Sequence, residues 1–324
     1  MSSSSGPAPH IGVAGCGAWG RNHVRTLGTL GALAAVSDSS AAAAKAAAEA
    51  SGAPARAWTD ILADPAISGV VIAAPDALHA AMAGEALAAG KHVLAEKPMT
   101  MGVADAENLA TEAERKGLVL MTGHILRYHS AFRRMQELIA DGAVGRIRHI
   151  AARRMHYAPG APRQTLWDLG PHDLSMILAL AGRKPLSVRA AYSAYEGDIP
   201  QAGSMALDFG DGLTAEIAFS AITPVKLHQI SVAGNEAQAV FEDSKPWPEK
   251  LALFRPGLER VRKPLAREGI DVVPGEPLAE ELRAFITAIK GGPTPPSGAR
   301  EAIGVIAVLE AAARAAESGK AETP

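Results

Sequence analysis

The chain has 324 residues, enough for two domains, and its 32 Lys and Arg residues nearly balance 34 Asp and Glu residues. This balance and a hydrophobic content of 48% are ordinary for a globular protein and favour neither nucleic acid nor a membrane as partner. The single cysteine, Cys16, excludes an internal disulfide framework and suits a reducing compartment. Residues 1–7 are Ser-rich and lack the basic and apolar regions of a signal peptide. We therefore expect a disordered tail over 1–7 and a cytoplasmic protein.

A glycine-rich turn follows the first predicted strand, residues 11–14. The turn matches Gly-x-Gly-x-x-Gly, and helical sequence continues from it to about Leu30. In this motif the first glycine makes a tight turn, the second lets the backbone approach a pyrophosphate, and the third allows close packing of helix and strand. The predicted cofactor-binding residues of the turn are Gly15, Cys16, Gly17, Ala18, Trp19 and Gly20. Cys16 is interpreted only as a small residue that fits the turn.

An acidic residue ends the second predicted strand, residues 33–37. Asp38 lies 18 residues after Gly20, where a carboxylate accepts hydrogen bonds from the ribose hydroxyls of a dinucleotide. Ser39 and Ser40 follow, and no Arg is nearby to receive a 2′-phosphate. NAD is therefore expected in preference to NADP. The alternative interpretation is a solvated Asp at a strand end.

Strands and helices continue to alternate up to residue 124. The predicted elements are helices at 41–50, 79–89 and 103–116 and strands at 69–74, 92–95 and 118–122. This alternation is typical of parallel βαβ units. It predicts an α/β fold with a doubly wound Rossmann domain over residues 8–124.

Lys97 follows the strand 92–95 and precedes Pro98. Pro98 fixes its own φ and moves Lys97 away from helical geometry, so the lysine side chain should have a defined direction. The carboxyl ends of parallel strands are where ligands bind in open α/β sheets. Lys97 is therefore a candidate catalytic residue, with a surface lysine beside a turn as the alternative.

Residues 125–324 show a different pattern. Helices are predicted at 130–140, 277–290 and 299–316, and strands at 146–156, 227–233 and 238–242. A hairpin is predicted over 204–219, with apolar residues alternating inward on both sides of Gly210-Asp211-Gly212. These elements predict an α+β domain with a large, mainly antiparallel open sheet, one face on helices and the other facing a partner.

A second group of candidate residues lies in the sequence Trp167-Asp168-Leu169-Gly170-Pro171-His172-Asp173. Pro171 suits the first turn of a helix, which places Asp168 and His172 at its N-terminal end, where both can face one cleft. Asp173 is interpreted as a charge that favours the helix dipole. A histidine at a helix start can also be a cap or a hydrogen-bonding core residue.

Three motifs together resemble the glucose-fructose oxidoreductase and inositol dehydrogenase family of nicotinamide-dependent sugar and polyol oxidoreductases. They are the glycine turn, Ala73-Ala74-Pro75 with His79, and Glu96-Lys97-Pro98. The resemblance implies further cofactor-binding residues, namely Ala74, Pro75, His79, Glu96 and Lys97. It implies that Lys97 and His172 lie nearest the reacting carbon and that the Lys97–Pro98 peptide is cis. It also implies a homodimer or homotetramer formed through the open sheet.

The expected reaction is oxidation of a secondary hydroxyl on a sugar. His172, or alternatively Lys97, accepts the proton while the other stabilises the alkoxide, and Asp168 orients His172 or a sugar hydroxyl. The motifs are most similar to the branch that oxidises the 3-hydroxyl of nucleotide sugars such as UDP-N-acetylglucosaminuronate. Expected substrate-binding residues are Lys97, His124, Arg127, Arg163, Trp167, Asp168 and His172. Four arginines, Arg127, Arg153, Arg154 and Arg163, are expected to flank the cleft and bind the diphosphate or carboxylate.

Three alternatives remain open at this stage. The substrate can be a free sugar or an inositol, and the protein can be a dinucleotide-binding regulator without catalysis. A metal site at His124, His129, Asp168 and His172 is disfavoured, because no Cys pair or His-Glu-x-x-His motif accompanies these residues. We expect no metal. The sequence also lacks a Gly-x-Ser-x-Gly hydrolase motif.

Overall fold

The structure, a computed structural model, describes residues 9–158, 165–195, 197, 199–255 and 266–324. The tail expected over 1–7 and the candidate Arg163 lie outside these ranges. The chain packs into two units, the first formed by residues through Ile125 together with Glu276–Ile303, and the second by Leu126–Gly275 and Gly304–Pro324. The first boundary falls within one residue of the expected one. The return of Glu276–Ile303 to the first unit differs from the expected division.

The strands and helices have these bounds in chain order. The strands are β1 (His10–Ala14), β2 (Leu33–Ser37), β3 (Ile67–Ile72), β4 (His92–Ala95), β5 (Leu120–Thr122), β6 (Ile147–Tyr157), β7 (Ser187–Ala194), β8 (Pro200–Asp208), β9 (Thr214–Ser220), β10 (Ile222–Gly234), β11 (Gln238–Glu242), β12 (Leu251–Arg255) and β13 (Ala266–Gly269). The helices are α1 (Gly20–Thr29), α2 (Ala41–Ser51), α3 (Trp58–Ala63), α4 (Asp76–Ala88), α5 (Val103–Lys116), α6 (Ser130–Ala140), α7 (Thr165–Ala181), α8 (Pro277–Ile289) and α9 (Ala299–Ser318). A 3-10 turn occupies Ile125–Tyr128.

The first unit contains a parallel five-stranded sheet in the order β2-β1-β3-β4-β5. Its central strands are apolar because they are covered on both faces, as β3 shows with five of six residues buried. The Ala-rich segment 41–51 is a helix, as predicted: Ser40 caps its start and Gly52 ends it in a left-handed conformation. The predicted Rossmann fold is confirmed. The short helix α3 was not predicted.

The second unit contains an eight-stranded sheet in the order β13-β12-β11-β10-β6-β9-β8-β7. Only the β6–β9 pair is parallel, so the sheet is mainly antiparallel, as predicted. The hairpin β8–β9 has the predicted inward residues, and Asp211 at its turn has a φ of 52°. Strands β7, β12 and β13 were not predicted.

Helix α7 packs against β6, β8 and β9 in the second unit. It begins at Thr165, so Pro171 lies inside the helix rather than in its first turn, and that prediction was wrong. The apolar spacing of Leu166, Leu169 and Leu174 extends the helix before Pro171. Asp168 lies at the N-terminal end of the helix, as predicted, whereas His172 lies further along it, directly after Pro171. None of the helices in the described ranges is long and apolar enough to cross a membrane.

Candidate functional site

The glycine turn after β1 has the geometry of a dinucleotide cradle. Gly15 has a φ of +94°, and a Cβ there would overlap the carbonyl oxygen of Ala73. A Cβ at Gly20 would overlap the carbonyl oxygen of Gly15. Gly17 differs, because a Cβ there meets nothing within 4 Å. The first and third glycines are therefore required by the fold, whereas the second leaves open space beside the start of α1, where a pyrophosphate can approach.

Asp38 is held in position at the end of β2 by two backbone amides. Its Oδ2 accepts from the Cys16 amide at 2.6 Å, and its Oδ1 accepts from the Ser40 amide at 2.8 Å. Burial, with the nearby charge of Asp38, raises the pKa of the Cys16 thiol to about 11. The thiol is therefore unreactive at neutral pH, in accord with a role as a small residue in the turn. The open cradle at Gly17 and the oriented carboxylate fit a bound dinucleotide.

Glu96 connects the glycine turn to the end of β4. Its Oε1 accepts hydrogen bonds from the Trp19 indole and from His23 Nε2, the latter at 2.7 Å, and its Oε2 accepts from the Lys97 amide at 3.2 Å. A Cβ at Gly123 would lie 2.8 Å from this carboxylate, so only glycine leaves room for it. Burial raises the pKa of Glu96, but the hydrogen bonds and charge of His23 and the Trp19 hydrogen bond hold it below its usual value. Glu96 therefore acts as a buried anion that positions the turn and Lys97.

His79 links two loops at the same edge of the sheet. Its ring is buried, with Nδ1 2.8 Å from the carbonyl oxygen of Pro98 and Nε2 2.8 Å from that of Ala74. Both partners are carbonyl oxygens, which only accept, so the ring bridges two acceptors in different loops. The Lys97–Pro98 peptide is cis, as the resemblance implies. Lys97 itself is half-buried. His79 thus positions the Lys97–Pro98 loop, which the sequence alone did not reveal.

In the second unit, Trp167, Asp168 and His172 lie in the N-terminal half of α7 and are half-buried. The neighbouring Asp173 is fully buried and forms a bidentate ion pair with Arg154, at 2.8 and 2.9 Å. The interpretation of Asp173 as only a helix-dipole charge was therefore wrong. This pair fixes α7 on β6 and so fixes the turn that carries His172.

Of the four arginines expected to flank the cleft, Arg163 lies outside the described residues, and the structure gives the contacts of the other three. The guanidinium of Arg154 is engaged by Asp173, and Arg127 is buried, donating to the Ser175 carbonyl oxygen. Arg153 directly precedes Arg154 on β6 and is exposed where Arg154 is buried, so its side chain points to the other face of the sheet. Arg154 and Arg153 therefore do not form one anion-binding fork.

Two histidines near Asp168 were missed by sequence reasoning. His156 on β6 and His228 on β10 lie with ring centroids 5.9 Å apart. Burial lowers the pKa of His228 to about 4, with Arg154 and Lys226 adding to the effect. Burial also lowers the pKa of His156, and the charge of Asp168 opposes it. Both imidazoles are therefore neutral at physiological pH. The only sequence signal for them was that each lies at an inward-facing position of its strand.

Other candidate histidines make structural contacts. His124 is buried in the first unit, with Nδ1 2.6 Å from Glu301 Oε2. His129 caps α6 by accepting from the Ala131 amide, and its ring stacks on Trp247 at 5.5 Å. Among the described residues, no three His, Cys, Asp or Glu side chains are grouped to hold a metal ion.

Comparison with known proteins matches both halves of the chain to family models. Residues 10–124 match the oxidoreductase family with an NAD-binding Rossmann fold, and residues 132–240 match the GFO/IDH/MocA C-terminal domain. The chain belongs to the GFO/IDH/MocA family of oxidoreductases. It is therefore an enzyme of that family, with a dinucleotide-binding first unit.

Two relatives illustrate the range of the family. The chain is 30% identical over 285 residues to UDP-N-acetylglucosamine 3-dehydrogenase of Acidithiobacillus ferrooxidans, covering 86% of this chain and 88% of that one. It is 29% identical to scyllo-inositol 2-dehydrogenase (NADP(+)) of Bacillus subtilis, covering 78% of each. A solved structure of the Acidithiobacillus enzyme superposes with a TM-score of 0.85 at 26% identity, covering 95% of this chain and 98% of that one.

Proposed function

We propose that this enzyme is an NAD-dependent dehydrogenase that oxidises a secondary hydroxyl of a sugar. The observation that carries the proposal is the arrangement in the first unit, where Glu96 holds both the dinucleotide turn, through Trp19, and the main chain of Lys97. A cation at this strand end is suited to a hydroxyl that loses a proton. The similarity to two dehydrogenases that are named for sugar or polyol substrates supports the same reaction class.

The proposed catalytic residues are Lys97, His172 and Asp168, as the family resemblance implies. Bound NAD supplies the acceptor for the hydride. His172, or alternatively Lys97, accepts the hydroxyl proton, and the other donates a hydrogen bond to the alkoxide oxygen. Asp168 orients His172 or a sugar hydroxyl. A regulator without catalysis would give no turnover with any sugar, which distinguishes that alternative.

NAD is the proposed cofactor, because Asp38 occupies the position that would face a 2′-phosphate. Its carboxylate is fixed by the amides of Cys16 and Ser40 and would repel a phosphate group. The Bacillus subtilis relative is named for NADP(+), so relatives differ in this choice. The test is kcat/KM with both cofactors for the wild type and for Asp38→Ser. A clear preference of the wild type for NADP would refute the assignment.

The proposed substrate class is a UDP-linked N-acetylated sugar, as in the name of the Acidithiobacillus relative. Among the described residues near α7, Arg154 is neutralised by Asp173 and burial lowers the pKa values of His156 and His228, which favours an uncharged sugar over a uronate. Neutral imidazoles pair well with hydroxyl and amide groups. The alternative substrate is a free polyol, as in the name of the Bacillus subtilis relative.

A substrate panel tests this choice. NADH formation is measured with UDP-N-acetylglucosamine, its uronate, free N-acetylglucosamine, glucose and scyllo-inositol. The lowest KM is expected for the UDP-linked neutral sugar. Turnover with free polyols alone would refute the nucleotide-sugar proposal and leave the dehydrogenase assignment intact.

The proposed assembly is a homodimer or homotetramer through the open face of the eight-stranded sheet. Alternate residues of β6 are accessible on that face, including Arg153 and Tyr157, the latter 65% exposed. An exposed aromatic residue on a wide sheet is typical of a subunit contact. Light scattering gives the mass in solution. A monomer at micromolar concentration would refute the assembly, and Tyr157→Glu should weaken it.

A further inference from the structure

A fully buried carboxyl group lies on α8, outside the residues that sequence motifs indicate. Glu281 has 0% exposure, and neither of its side-chain oxygens forms a hydrogen bond within the described part of the chain. An ionised carboxylate there would lose its hydration with nothing to replace it. Burial therefore favours the neutral, protonated form of Glu281.

The charges that face Glu281 act in the same direction. Burial is the largest reason that the pKa of Glu281 is raised well above its usual value, and the negative charges of Glu96 and Glu276 add to it. Glu276 caps the start of α8 and accepts from the Ala279 amide at 2.6 Å. Glu96 is different, because its hydrogen bonds from Trp19, His23 and the Lys97 amide favour its anion. Glu96 and Glu281 therefore carry one negative charge between them, on Glu96.

A second buried atom without a partner lies on the helix that packs against α8. Helix α1 contacts α8, and His23 on α1 has 0% exposure. His23 Nε2 faces the Glu96 carboxylate, while Nδ1 has no hydrogen bond to any described residue. With Nε2 donating to ionised Glu96, Nδ1 still requires a partner, and a protonated carboxyl group can either donate to it or accept from it. A protonated Glu281 has one O–H to donate, and an ionised one has none.

We propose that Glu281 is a positioning residue that stays protonated in the folded enzyme and completes a buried network from Glu281 to His23 to Glu96. Its O–H reaches His23 Nδ1 through a buried water or a side-chain rotation. Glu96 then holds Trp19 of the dinucleotide turn and the main chain of Lys97. This role does not depend on which sugar the enzyme oxidises.

The first test compares two amide variants on the same helix. Glu281→Gln keeps the shape of the protonated acid and a donor, whereas the control Glu280→Gln changes a side chain that is 38% exposed and paired with Arg283. Infrared spectra at neutral pH should show the C=O band of a protonated carboxyl group in the wild type and in Glu280→Gln. The band should be absent in Glu281→Gln. A band that persists in Glu281→Gln, or that the wild type lacks, would overturn the proposal.

Stability against pH gives a second readout. An acid whose pKa is raised by folding keeps its proton in the folded state, while the unfolded side chain releases it near its ordinary pKa of about 4.3. The stability that Glu281 contributes is thus complete below that value and is lost as pH rises to the folded pKa. Relative to Glu281→Gln, the wild-type unfolding constant should rise about tenfold per pH unit above about pH 5. The unfolding constant of Glu280→Gln should change with pH as that of the wild type does. If the ratio of the unfolding constants of the wild type and Glu281→Gln did not change with pH, the protonation of Glu281 would be refuted.

The positioning role is tested by NADH binding, measured by fluorescence without substrate. Glu281→Leu removes the donor while keeping most of the volume, and should weaken NADH binding by about tenfold as His23 turns away from Glu96. Glu281→Gln should bind within about twofold of the wild type. Equal affinity of all three proteins would overturn the role. If Glu281→Leu does not fold, the NADH affinity of Glu281→Gln is the test. A loss of more than about twofold in that variant would contradict the role, because its side-chain amide still supplies a donor.

Discussion

Replacing Gly17 by Ala should separate cofactor binding from folding. The structure shows open space around Gly17, where a Cβ meets nothing within 4 Å. The free energy of unfolding should therefore change by no more than about 0.5 kcal/mol, the usual range for an open surface position. Gly20→Ala should instead destabilise the first unit strongly, because its Cβ would overlap the carbonyl oxygen of Gly15.

Gly17→Ala should weaken cofactor binding although it leaves the stability nearly unchanged. The added methyl group occupies the space where a pyrophosphate approaches the backbone, so NADH affinity should fall by about tenfold to a hundredfold, or about 1.4 to 2.8 kcal/mol. NADH fluorescence titration measures the affinity, and urea unfolding measures the stability.

Gly28→Ala is the matched control for this experiment. Gly28 lies on the exposed side of α1, and a Cβ there also meets nothing within 4 Å. Alanine is the better helix former, so this variant should be more stable by about 0.5 to 1 kcal/mol and bind NADH normally. Wild-type affinity in Gly17→Ala would show that no cofactor lies against this glycine, and would refute the cradle as described.

The remaining predictions concern the catalytic residues and the buried ion pair. Lys97→Met and His172→Ala should each lower turnover by roughly 10² or more while NADH affinity stays near the wild-type value; near-normal turnover would remove that residue from the mechanism. Asp173→Asn should destabilise the protein by about 3 to 5 kcal/mol, since it leaves the Arg154 cation buried without its partner. Asp211→Asn, at an exposed ion pair, should change stability by less than about 1 kcal/mol, and similar losses in both variants would contradict this reasoning.

Much of the first unit follows from local sequence signals. Strand β4 and helix α5 have the bounds predicted from sequence, because an apolar run, a helix-ending Gly117 and the Glu96-Lys97-Pro98 segment mark their limits. The glycine turn and Asp38 were also predictable, since the spacing of the motif is set by the cofactor that it binds. Helix α6 was predicted with equal accuracy over Ser130–Ala140.

The elements that sequence reasoning missed have weak local patterns. All four residues of β13 are exposed, so no apolar alternation marks that strand. Pro171 suggested a helix start, but apolar contacts extend α7 by six residues before it. A helix can accommodate a proline when tertiary packing stabilises the surrounding turns.

The missed site residues depend on contacts between distant segments. Arg154 was expected to bind substrate and Asp173 to interact with the helix dipole, because their pairing with each other requires α7 to pack on β6. Glu281 was not singled out by any sequence motif. A signal was present, however: Glu281 shares the apolar face of α8 with Leu278 and Phe285, at helical spacings of three and four residues.

The return of α8 to the first unit affects how that unit can be isolated or exchanged. Leu278, Leu282 and Phe285 are buried, and a Cβ at Gly69 on β3 would lie 3.1 Å from the Cδ1 of Ile289. A fragment that stops at residue 124 would leave this surface uncovered, and exposed apolar surface of that kind promotes aggregation. Hybrid enzymes that exchange the dinucleotide half between relatives must therefore transfer two separate stretches of chain, the second containing residues 276–303.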